Sequence, residues 1–242
     1  TLAVIKVSTT DSTGDYSISG VSTGTYTIKV SKDGYKDSVT SSFTVQNENV
    51  TQNVTLTAIT QEPTPSAIFT ATGPDCGTLS GVSNDMKYRF GAGDEGTWTE
   101  ITGVIDGKLS LSALTVTAGN TLTIQIKMPG KSDGSTTDSA VQTITVTKAA
   151  RPTNLSATPC MVDKTDGTIT ITNASKVIQY KKKDTSDEWA DISGSNISDL
   201  SSGTYFVRVK ANGTELASES TEVTVDTGYP VWVKATQVTS AN

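Results

Sequence analysis

Apolar and polar side chains alternate with a period of two along most of the chain. Tyr16 and Ile18 share one parity, as do Tyr26, Ile28 and Val30, and Val54 and Leu56 alternate with threonine. The same pattern returns in Leu122 to Lys127, Thr143 to Val146, Tyr205 to Lys210 and Glu222 to Val225. Period-two alternation puts every second side chain on one face of a strand. Thr10 to Asp15 and Asp33-Gly34-Tyr35 supply the turns between strands. The chain therefore predicts an all-β protein.

Two stretches can be laid side by side. Phe69 to Thr72, Gly77-Thr78-Leu79, Met86-Lys87-Tyr88, Trp98 to Ile101, Leu122 to Lys127 and Thr143 to Val146 are matched by a second series. That series is Leu155 to Thr158, Gly167-Thr168-Ile169, Ile178-Gln179-Tyr180, Trp189 to Ile192, Tyr205 to Lys210 and Glu222 to Val225. Order and approximate spacing agree, so the expectation is two copies of one module, residues 67–149 and 151–226. Each has about seven short strands, as in an immunoglobulin- or fibronectin-III-like sandwich. Lys148 to Pro152 is expected to be a hinge between them. A smaller module over residues 1–59 precedes a two-proline linker at 60–66, a composition that favours an extended spacer. Residues 227–242 fit neither copy and read as the start of a further module or a loose tail.

Composition narrows the chemistry. Among 242 residues the net charge is −6, and no basic face suggests nucleic acid as a partner. No apolar run approaches the ~20 residues of a membrane span. The chain has no histidine, which removes the commonest general base and a common metal ligand. Carboxylates at Asp94, Glu95, Asp187 and Glu188 lie in polar stretches that read as solvated hairpin tips. The expectation is a chain that is not an enzyme and needs no cofactor and no metal. Asp11, Asp15, Asp163 and Asp166 read as turn residues rather than calcium ligands, since no D-x-D-x-D-G run is present. Cys76 and Cys160 fall in different modules and are expected to be unpaired.

The pattern T-D-x-x-G-x-Y-x-I from Thr10 to Ile18, then Gly24-Thr25-Tyr26-Thr27-Ile28 and Gly34-Tyr35, resembles the carboxypeptidase regulatory-like and CnaB-like group. The resemblance implies a transthyretin-like β-sandwich. Where crosslinked members of that group carry a Glu, this chain has Val30, so no isopeptide crosslink is expected. Only Thr1 to Thr9 precede the pattern, so this module is expected to be short of a strand at its start. The phrase Tyr … Trp-x-x-Ile … Gly-x-Tyr-x-Val-Arg-Val in the two copies resembles repeats on Gram-positive surface proteins. Together these imply tandem small antiparallel β-sandwiches, one transthyretin-like and two immunoglobulin-like.

Trp98 and Trp189 are expected to be core residues because they recur at one place in both copies. Tyr35, Tyr229 and Trp232 are the candidate ligand contacts: Tyr35 follows a turn, and the other two lie outside the repeat. The resulting expectation is an extracellular, cell-surface or secreted piece of a longer protein that acts as a spacer presenting other modules. Its partners would be the neighbouring modules of the same protein. The alternative is a module of an adhesin or of a secreted glycoside hydrolase that binds a glycan or a host or matrix protein.

Overall fold

The computed structural model describes residues 4–229 apart from 92, 94, 95, 173, 174 and 193. Its regular elements are all strands, and their contacts divide the chain into two compact units. One unit is Thr1–Glu62 with Pro129–Ser139; the other is Pro63–Met128 with Ala140–Asn242.

The first unit is built from very short ladders. Its strands are β1 (Gly24–Tyr26), β2 (Lys29–Val30), β3 (Tyr35–Lys36), β4 (Ser38–Val39), β5 (Phe43–Val45), β6 (Thr57–Ala58) and β7 (Thr60–Gln61). β1 pairs with β5, β2 with β4 and β3 with β6, all antiparallel. None of its described apolar side chains is fully buried. Polar contacts hold the turns. The Asp11 carboxylate accepts hydrogen bonds from the Thr13 hydroxyl and from the amides of Thr13 and Asp15. Those donors, the Thr13 hydroxyl foremost, pull the Asp11 pKa below the usual carboxylate range. The Tyr16 hydroxyl donates to Gln52 O at 2.8 Å, and that of Tyr26 to Ser22 O at 2.9 Å. Thr60–Gln61 falls inside the stretch expected to be a linker. It is instead a strand, paired in parallel with Thr136–Thr137.

The second unit holds two sandwiches. The first contains β8 (Ile68–Ala71), β9 (Gly77–Ser80), β10 (Lys87–Phe90), β11 (Thr99–Glu100), β12 (Lys108–Leu111), β13 (Thr121–Lys127) and β15 (Gln142–Lys148), with β14 (Thr136–Thr137) looping out to the first unit. One sheet is β12-β9-β8. It packs Phe69, Leu79 and Leu111 against Ile124, Ile126 and Val146 of the sheet formed by β10, β11, β13 and β15. The second sandwich runs through β16 (Leu155–Thr158), β17 (Cys160–Met161), β18 (Gly167–Ile171), β19 (Ile178–Lys182), β20 (Ala190–Ile192), β21 (Asn196–Leu200), β22 (Gly203–Val209), β23 (Glu215–Leu216), β24 (Thr221–Val225) and β25 (Thr227–Gly228). Its sheets are β16-β18-β21 and β20-β19-β22-β24, around Ile169, Ile178, Ile197, Val207 and Val225.

Gly77 and Gly167, which open the matching Gly-Thr-aliphatic phrases, leave no room for a side chain. A Cβ on Gly77 would lie 2.3 Å from the Phe69 ring, and one on Gly167 would lie 2.6 Å from Val225. Cys76 and Cys160 are both free thiols.

The expected hinge is corrected by the structure. β23, in the loop between β22 and β24, adds itself in parallel to the edge of β15. Thr147 N donates to Thr214 O and Ala149 N to Leu216 O. On its other side the loop bonds Ala71 N through Gly213 O, and Ala217 N donates to Gly73 O. Leu216 is fully buried, in the core of the first sandwich. Ala149 is buried in turn in the core of the second. Lys148 bonds Glu219, and Pro152 O accepts from the Thr221 hydroxyl. A stretch that looks unconstrained in sequence is held by a finger from about 65 residues downstream.

Candidate functional site

The first candidate surface is the outer face of the larger sheet in each sandwich, where the two tryptophans lie. Trp98 and Trp189 are half-buried on that face and not in the core. The core residues beside them are Ile101, fully buried, and Ile192, packed against the second core. Tryptophan and isoleucine are three positions apart, and residues an odd number apart in a strand point to opposite faces.

Each indole stacks with a guanidinium. The Arg89 guanidinium lies 4.5 Å from the Trp98 ring centre, with the Lys127 ammonium at 4.7 Å. Arg208 lies 3.8 Å from the Trp189 ring centre, with Lys181 at 5.4 Å. A desolvated cation over an indole is attracted by the ring quadrupole. A glutamine completes each group. Arg89 Nε donates to Gln125 Oε1 at 2.6 Å, and Arg208 Nε to Gln179 Oε1 at 3.0 Å. Both are directly opposed cross-strand pairs.

The two groups differ in depth. Arg89 is 6% exposed, and its other nitrogens donate to the carbonyls of Gly93 and Gly96. The second face is more open and carries more ion pairs. Asp191 accepts from Lys210 and from Gln179, contacts that draw its pKa down, the lysine bond most. Burial lowers the Arg208 pKa. Phe206 is half-buried on the same face with the Lys183 ammonium 5.6 Å from its ring centre, and Lys183 pairs with Glu222. The bond to Glu222 raises the Lys183 pKa. The charges on this face are thus largely satisfied by one another.

The structure separates the residues singled out from sequence. Tyr35 is partly buried in β3, with the Lys32 ammonium 4.8 Å from its ring centre, beside an open depression lined by Ser31, Asp33, Asp37 and Ile59. Tyr229 is 76% exposed at the end of the second sandwich. Trp232, Asp94 and Glu95 lie outside the described residues. Asp166 accepts from Met161 N at 2.8 Å, a turn contact. Among the described residues no group of three or more acidic or cysteine side chains could hold a metal ion, and no helix is long and apolar enough to cross a membrane.

The second candidate surface was not legible in sequence. Cys160–Met161 pairs in parallel with Thr227–Gly228, where the last strand leaves the second sandwich. Met161 and Val162 are 40% and 43% exposed there, next to Tyr229.

With this geometry in view, the chain is an array of tandem β-sandwich modules. Residues 3–57 match the carboxypeptidase regulatory-like domain. No curated protein matches the chain. Among solved structures it resembles the FN1–FN3 domains of chicken CNTN1, at 14% identity over 84% of this chain and 77% of that one, with a TM-score of 0.31. It also resembles a two fibronectin type-III domain segment from chicken tenascin, at 15% identity over 67% of this chain and 98% of that one, with a TM-score of 0.26. Both overlaps are loose and concern architecture alone.

Proposed function

We propose that this chain is a non-catalytic spacer of an extracellular bacterial surface protein, one that holds neighbouring modules at a fixed separation. The observation that carries this reading is the finger formed by Gly213 to Ala217. It turns the junction between the two sandwiches into a strand-paired, core-filled joint. A joint of this kind resists bending, because any rotation must break backbone hydrogen bonds and withdraw Leu216 from an apolar core. The match of residues 3–57 to a regulatory-like domain supports a role in presentation rather than in chemistry.

Small-angle scattering of the full chain tests this. A compact domain of 242 residues has a radius of gyration of about 18 Å. A spacer gives a value well above that, unchanged by moderate salt; a value at the compact limit sinks the reading.

A second reading, recognition of a glycan or a protein, is favoured by the half-exposed Trp189 and Phe206 on one sheet face. Retention on insoluble polysaccharides, lost in Trp189→Ala, would establish it over the first.

A further inference from the structure

The larger sheets of the two sandwiches correspond strand for strand, except that one has a fifth member. In the first the order is β11-β10-β13-β15-β23, and in the second it is β20-β19-β22-β24. The missing strand is the one supplied to the first sandwich by the finger of the module that follows it. The same arrangement is met at the end of the first unit, where β14, in the loop between β13 and β15, pairs in parallel with the outgoing β7. In both places, then, a strand receives a short parallel strand from a loop further along the chain.

The outgoing strand of the second sandwich has no such partner among the described residues. Val225 corresponds to Val146, so Asp226–Thr227 occupies the place of Thr147–Lys148, the residues that β23 covers. In the second sandwich this segment leans instead on Cys160–Met161, through a bridge two residues long that includes Cys160 N donating to Asp226 O. Three apolar side chains stand exposed around it: Met161, Val162 and Tyr229. In the first sandwich the corresponding end is sealed by Leu216.

We infer that this end of the second sandwich is an acceptor site, and that its occupant is the finger of a further sandwich of the same class. That finger would lie parallel to Asp226–Gly228 and carry a leucine at the position of Leu216, to cover Met161, Val162 and Tyr229. The short bridge to Cys160–Met161 holds the site closed until the finger arrives. Tyr229 is then an interface residue between modules and not a contact for a soluble ligand. The inference rests on the interlock seen within this chain, not on where the protein acts.

The test duplicates residues 151–229 directly after Tyr229 in the full chain, which reproduces the five-residue step from Val146 to Arg151. Hydrogen exchange is followed in the peptide from Val223 to the junction, distinguished by the residues after it. The expected result is about tenfold slower exchange than in the parent chain. Leu→Asp in the added finger should restore the parent rate while the strands of the added sandwich stay protected. Parent-like exchange at the junction beside a protected added sandwich would overturn the inference.

If the added sandwich shows no protected strands, a second form decides. The finger Lys210–Ser220 alone is attached to Asn242 by a Gly/Ser tether, which supplies an effective concentration of about millimolar. Amide resonances of Met161, Val162 and Gly228 should shift with the leucine finger and not with its Leu→Asp form. Equal spectra for the two fingers would overturn the inference.

Discussion

The two sandwiches of the second unit are built to one plan but stabilised by different means. The first depends on its neighbour: Leu216, contributed by the second, sits fully buried in its core, and β23 completes its sheet. The second closes on itself, through β17 against β25 and through the Tyr205 hydroxyl, which donates to Ser201 O at 2.9 Å. The strand ladders put Ile124 of the first where Tyr205 stands, so the first lacks that corner. The outer faces diverge in the same sense. Arg89 is locked into the first by three acceptors and an indole, whereas Arg208 bonds Gln179 and remains half-open. Repetition of a fold therefore does not imply repetition of its stability. One copy can place part of its core in the chain of the other.

The strongest way to break this comparison is at Leu216. Leu216→Ala should cost about 2–5 kcal/mol, the usual range for emptying a buried leucine site. The loss should fall on the first sandwich although the residue belongs to the second. Hydrogen exchange resolved by strand checks this: faster exchange confined to β19, β22 and β24 would refute the assignment. Next in size is Arg89→Ala, which leaves Gln125 and two loop carbonyls without their donor and should cost about 2–3 kcal/mol. Arg208→Ala, with fewer bonds and more solvent, should cost about 1 kcal/mol. Chemical denaturation of the two variants compares them, and equal losses would mean that the faces are energetically alike. Tyr205→Phe removes a hydroxyl that bonds Ser201 O and contacts Ser201 Oγ, at a corner that the first sandwich lacks. A loss of about 1 kcal/mol, registered in that sandwich alone, is expected from the same measurement.

Much of this architecture can be read from the chain. Alternation located the long strands β13, β15, β22 and β24, because a strand that faces a core on one side must repeat every second residue. The repeat phrases predicted which strands correspond. The tryptophans were misplaced despite a usable signal: in Trp-x-x-Ile the two residues have opposite parity, so a buried Ile101 requires an outward Trp98. The finger carries no comparable signal. Asn212 to Ala217 is a polar turn with one leucine, and its burial depends on an edge supplied by Thr147–Ala149. Contacts of that range leave no periodicity in either segment. The first unit was legible for the opposite reason. Its Asp-Gly turns and Gly-Thr-Tyr phrase are local devices, and Tyr26 bonds a carbonyl only four residues back.

The smallest effect concerns the electrostatic half of the joint. Lys148, at the end of the first sandwich, bonds Glu219 in the second, and its side chain is only 9% exposed. That bond, followed by the nearby charges, lowers the pKa of Glu219 below its ordinary value of 4.5. A carboxyl with a depressed folded-state pKa contributes stability that is present above the unfolded value. The contribution is lost as pH falls through the lower, folded one. The joint should therefore loosen only below about pH 4.5, with no change between pH 6 and 8. Glu219 is largely solvated, so the contribution is no more than about 0.5 kcal/mol. Exchange at the Thr147 and Ala149 amides, compared at pH 6 and pH 3.5 after correction for intrinsic rates, reads it directly. Glu219→Gln should flatten that dependence while leaving Leu216 buried. A pH response that survives the substitution would move the titrating group elsewhere and leave the joint held by Leu216 and its strand bonds alone.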